Sequence, residues 1–156
     1  MNLPYSNTDL EKVLCGVLDC KRLKIYESDG FRGNYNINEF LQDENNFFVI
    51  YHGKPDMVGH WTVLLLHDDK TVEYFDSFGS KSSYKPTHIK RFFTKHGFKW
   101  IANTKQLQNK DSNYCGKFVV LRVLSRHESL DKFLALFANR KLKPDDIANL
   151  LVSIEF

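Results

Sequence analysis

Cys115 stands where a helix should begin, and the residues around it are those that thiol chemistry needs. From Gln108 the chain reads Gln-Asn-Lys-Asp-Ser-Asn-Tyr-Cys-Gly and then enters an apolar run from Phe118 to Leu124. A cysteine in the first turn of a helix feels the partial positive charge of the N-terminus, which favours the thiolate. Upstream, His60 opens one strand-patterned segment and Asp76 closes the next. A histidine can take the thiol proton, and a carboxylate can fix its tautomer and support the imidazolium. The Gln108 side chain can donate an N–H toward a developing oxyanion beside the Cys115 backbone N–H. Gln106, two positions away, offers the same group, and spacing alone does not choose between them. Gly116 leaves room for a substrate backbone, and Trp61 is expected to pack against the imidazole and shield it from water. The chemistry these parts suit is acyl transfer through a thioester.

Other residues of the same types read more plainly. Cys15 and Cys20 fall in an amphipathic helix with no ligand pattern nearby and read as core residues. His52, His67, His88, His96 and His127 read as ordinary strand or surface histidines.

The elements that must position these groups follow from periodicity. Thr8 and Glu11 have the spacing of a capping box, and Leu10, Val13, Leu14 and Leu18 then recur at helical spacing. Residues 21–45 read as loop with one short helix near 38–42. Apolar, β-branched runs at 47–51, 60–66 and 71–75 read as strands, and Asp68-Asp69-Lys70 makes the last two an antiparallel hairpin. Pro86 opens a helix with Ile89, Phe92, Phe93 and His96 on one face. A fourth strand is expected at 99–102, then a buried helix from about 113, and two more helices at 130–138 and 144–154. This order is α+β: a small, mostly antiparallel sheet packed on the central helix that carries the nucleophile.

The 156 residues, 42% of them hydrophobic, suit one domain spanning 1–156. No apolar run is long enough to span a membrane. The first residues have neither the basic nor the apolar region of a signal peptide. Three cysteines, an odd number, argue for a reducing compartment inside a cell or particle and against a disulfide framework. The net charge of +3 is unevenly spread: residues 77–110 hold eight Lys and Arg and no Asp or Glu. Such a block suits a solvated helix face, and it could also follow a phosphate backbone.

Taken together, Gly59-His60-Trp61, Tyr74-Phe75-Asp76-Ser77-Phe78-Gly79, Gln108 and Ser112-Asn113-Tyr114-Cys115-Gly116 resemble the adenovirus-type maturation protease, adenain. More distantly, they are similar to the SUMO-specific (Ulp) proteases of the same clan. The order His, acid, Gln, Cys is that clan's order, and the seven-residue step to Cys115 favours Gln108 over Gln106. The resemblance runs from about residue 47 to 125. It implies an adenain/Ulp-like fold, a His60–Asp76–Cys115 triad with Gln108 in the oxyanion hole, and a substrate groove lined by Trp61 and Gly116. It implies a monomeric viral endopeptidase, working in the virion and the infected cell, that cuts capsid or core precursors at Gly-Gly or Gly-x-Gly sites. No cofactor is required for that chemistry, although the adenoviral enzyme is activated by DNA and by a disulfide-linked viral peptide. Two departures stand out. Asp76 replaces a Glu, as in the SUMO branch, and no cysteine lies between Asp76 and Cys115 to match the peptide-linking one. The shorter chain suits a virophage or a related small DNA virus, and the basic 81–110 segment leaves a DNA partner open. A deconjugase for a ubiquitin-like modifier, and a nucleic-acid-binding or scaffold protein with an inactive protease fold, are the other readings.

Overall fold

The computed structural model describes residues 5–18, 23–53, 59–138 and 141–155. Its centre is a five-stranded sheet in the order β1 (Ile25–Glu27), β2 (Phe47–His52), β3 (His60–His67), β4 (Thr71–Phe75), β5 (Lys99–Ala102). The pairs β2–β3 and β3–β4 are antiparallel, as the alternation and the Asp68–Lys70 turn require, whereas β1 on β2 and β5 on β4 are parallel. The sheet is therefore antiparallel in the middle and parallel at both edges. β1 falls inside the stretch read as loop, because three residues carry too little alternation to announce a strand.

Period-two alternation gives each face of the sheet its own core. On one face, Phe47, Val49, Trp61, Val63, Leu65 and Phe75 pack against α1 (Asn7–Leu18), α4 (Cys115–Leu124), α5 (Leu130–Ala135) and α6 (Pro144–Glu155). On the other, Phe48, Ile50, Leu64, Val72 and Tyr74 pack against a 3₁₀ turn at Ser28–Arg32, α2 (Ile37–Leu41) and α3 (Thr87–Thr94). The second core is aromatic, with Tyr26, Phe31, Phe40, Phe92 and Phe93 in edge-to-face or tilted contact.

Two local readings change. The box that starts α1 is Ser6–Asp9 rather than Thr8–Glu11: Asp9 N donates to Ser6 Oγ at 3.2 Å and Ser6 N donates to Asp9 Oδ2 at 2.8 Å. Cys15 is disulfide-bonded rather than a free core thiol, so Cys115 is the free cysteine among the described residues. Cys20 lies outside them.

The nucleophile helix is tied to the sheet by a buried ion pair. Arg122 Nε and Nη2 donate to Glu73 Oε2 and Oε1 at 2.8 and 2.9 Å, with both side chains essentially unexposed. The remaining guanidinium N–H groups reach the Ser125 and Glu128 carbonyls, and Phe133 covers the group at 5.1 Å. This fixes α4 against β4, the strand that leads directly into Asp76.

Candidate active site

The site forms where β3 begins, β4 ends and α4 begins. The last paired residues of the hairpin are Val63 and Phe75, so continuing the register sets Asp76 opposite Thr62, with His60 one diagonal step away. Diagonal neighbours on one face lie within reach of long side chains. Here His60 Nε2 donates to Asp76 Oδ1 at 2.7 Å, and both groups are buried. The same carboxylate oxygen accepts Phe78 N at 2.8 Å. Asn103 grips the Asp76 main chain from β5's end, accepting Asp76 N at 3.0 Å and donating to Asp76 O at 2.6 Å.

With Nε2 given to Asp76, Nδ1 is the ring nitrogen left for the Cys115 side chain, whose proximity also raises the ring's pKa. Burial works to push the His60 pKa down. The hydrogen bonds to Asp76 and Cys115 and the charges of both outweigh it, raising the ring from 6.5 to about 9. An imidazolium held at neutral pH by a buried carboxylate, with a cysteine beside it, is placed to exchange a proton in thiol chemistry. Cys115 is the first residue of α4 and belongs to the core on that helix's face, with 5% of its surface exposed.

Gln108 is buried, and its amide is held at both ends. Ser77 Oγ donates to Oε1 at 2.6 Å, and Nε2 donates to the Ser112 carbonyl at 2.8 Å, three residues before the nucleophile. Gln106 instead spends its amide on the Gln108 main-chain carbonyl at 2.8 Å. The outer side of this segment lines a surface cavity of about 840 Å³ with Lys81, Lys105, Lys110 and Lys143 around it.

Trp61 and Gly116 are placed differently from expectation. Successive strand residues face opposite sides, so Trp61 turns away from the imidazole. Its ring lies 4.9 Å from Tyr51, and its Nε1 donates to the Tyr5 carbonyl at 2.8 Å. The space over Gly116 is filled as well: a Cβ there would come within 2.7 Å of Tyr5 Cβ. The rings stacked on His60 are Phe78 and Tyr84, at 4.8 and 5.2 Å. The turn that brings Phe78 there requires Gly79, whose φ is +61 and whose missing Cβ would collide with the Thr104 carbonyl. His52, beside His60, hydrogen-bonds Thr62 Oγ1 at 2.8 Å and Tyr74 OH at 3.2 Å. Burial first, then the His60 charge, pushes its pKa down to about 4.

His60, Asp76, Gln108 and Cys115 are marked in the sequence as candidate site residues, whereas Ser77, Phe78, Tyr84, Asn103 and Tyr5 emerge with the structure. Ser77 and Phe78 stood inside the quoted motif. The others carry no local signal.

No known family model matches the sequence. The chain is 25% identical over 136 residues to the uncharacterized protein V9 of Sputnik virophage, covering 74% of this chain and 77% of that one. Among solved structures it is similar to the central domain of the uncharacterized Lpg1148 protein from Legionella pneumophila. That likeness has a TM-score of 0.57 and 13% identity, and covers 99% of this chain and 96% of that one. It is also similar to the ASFV pS273R protease, with a TM-score of 0.56 and 16% identity over 96% of this chain. This chain spans 66% of that protease's length. The architecture is the mixed α+β, adenain/Ulp-like cysteine protease fold.

Proposed function

We propose that this protein is a cysteine endopeptidase. The observation that carries the reading is His60, hydrogen-bonded at 2.7 Å to Asp76 and electrostatically coupled to Cys115 at the start of α4, in a protease fold. Cys115 Sγ adds to the substrate carbonyl, and the oxyanion is met by the Cys115 N–H and the Gln108 amide. As the C–N bond breaks, His60 gives its proton to the leaving amine. The acyl group stays on sulfur as a thioester. His60, now neutral, takes a proton from water, whose oxygen attacks the thioester; the C–S bond breaks and the acid leaves. Every step uses side chains of this chain, with no metal or cofactor in the bond-breaking.

The substrate class is proposed on the sequence resemblance and on the likeness to a virophage protein: viral capsid or core precursors, cut at Gly-Gly or Gly-x-Gly sites during maturation. Cleavage of a Gly-Gly-containing protein by wild type, Cys115→Ala and His60→Ala tests the reading. Either substitution should lower kcat by roughly three orders of magnitude or more. Cleavage that survives both ends the assignment at these residues. Selective release of a ubiquitin-like modifier over a Gly-x-Gly peptide would move the substrate to the deconjugase class.

A further inference from the structure

The Gln108 amide is oriented by Ser77, which the sequence motif contains without assigning it a role. Ser112 O is a main-chain carbonyl and can only accept, so the amide nitrogen must face it. The amide oxygen then faces Ser77, whose hydroxyl has to be the donor of the 2.6 Å contact. These two partners together remove the ambiguity that usually attends an amide's two ends. Of the two N–H bonds on Nε2, Ser112 takes one, and the second is left for an acceptor at the reacting carbon.

We infer that Ser77 is a positioning residue for the oxyanion hole, locking Gln108 with its nitrogen rather than its oxygen toward the substrate carbonyl. The inference rests on the peptidase reading of the same site. An amide turned over would set its oxygen against a developing negative charge, exchanging attraction for repulsion. Asp76 turns to His60 and Ser77 turns to Gln108, so consecutive side chains orient the base and the oxyanion donor. Asn103 fixes the Asp76 peptide on which both depend. Ser77 also holds the Gln108 segment through its own carbonyl, which accepts Leu107 N at 2.8 Å and Gln108 N at 2.9 Å. That backbone clamp survives removal of the hydroxyl, so Ser77→Ala isolates the orientation of the amide.

A double-mutant cycle tests this. Ser77→Ala should lower kcat about tenfold, the scale of one buried hydrogen bond, with KM unchanged. Ser77→Thr, which keeps the hydroxyl, should restore most of it. In a Gln108→Ala background, Ser77→Ala should change kcat no further; an equal drop there overturns the inference. A second pair of measurements needs no turnover. Ser77→Ala should weaken a peptide aldehyde, whose hemithioacetal oxygen uses the hole, while leaving alkylation of Cys115 unchanged. The side-chain amide resonances of Gln108 should shift in Ser77→Ala and return in Ser77→Thr. Should wild type prove inactive on every peptide, the endopeptidase reading fails by itself, and the amide resonances still decide on Ser77. An unshifted pair overturns it.

Discussion

His60 and His52 are buried side by side, their ring centroids 6.1 Å apart, yet their surroundings pull their protons in opposite directions. His60 is raised to about 9 and His52 lowered to about 4, both from 6.5. A raised histidine contributes stability that is fully present below 6.5 and is lost as pH climbs through its folded value. A lowered one costs stability as pH falls from 6.5 toward 4, because the unfolded chain then binds a proton the folded one refuses. Between about pH 4 and 9 these two groups therefore set a stability maximum near 6.5. Denaturant midpoints measured across that range should show it, and Asp76→Asn should flatten the alkaline arm by withdrawing the acceptor and charge that hold the His60 proton. A midpoint that climbs steadily to pH 9 contradicts the ion-paired His60. His60, Asp76 and Cys115 were legible in the sequence because a hairpin register and a helix start are local patterns. The rings on His60 and the Asn103 clamp were not, since those contacts join residues 18 to 27 positions apart with no periodicity to mark them.

At the scale of elements, the Glu73–Arg122 pair decides how firmly α4 presents Cys115 to the end of β4. Removing one partner of a buried, hydrogen-bonded pair leaves the other charge stranded, at a cost of about 3–5 kcal/mol. Glu73→Gln should thus depress the denaturant midpoint strongly. Breaking the exposed pair Lys132–Glu128, at 3.6 Å, should cost at most ~1 kcal/mol, since water screens it. Equal effects from the two substitutions would mean that the buried pair does not brace the helix. This brace was hidden in the sequence because α4 reads as apolar nearly all round, and one arginine in such a helix does not disclose the acid it meets on a strand 49 residues earlier. The long strands and α3 were readable for the opposite reason: each repeats its pattern over enough residues to stand out. β1, three residues long and parallel, takes its identity from its partner Val49–Tyr51 and not from itself.

Across the whole molecule, the two cores bury most apolar residues of the three central strands, and charge shapes much of the outer surface. The acid-free block at 77–110 gives that surface its asymmetry. Folding brings Lys81, Lys105 and Lys110 of this block to one cavity with Lys143 beside the start of α6, where Asp145 is the one carboxylate among the described lining residues. A DNA partner for this face is proposed on that convergence, and its energetics are predictable. Each lysine that neutralises a phosphate releases a condensed counterion, so log affinity should fall linearly with log salt. Replacing Lys105 and Lys110 together by Gln should reduce that slope by about two on duplex DNA and weaken binding equally on unrelated sequences. Titrations at several salt concentrations measure both quantities. Replacing Lys90 and Lys95, which lie on α3 and in the turn after it and do not line the cavity, is the control. A slope that responds equally to both pairs would assign any DNA binding to diffuse surface charge rather than to the cavity beside Gln108.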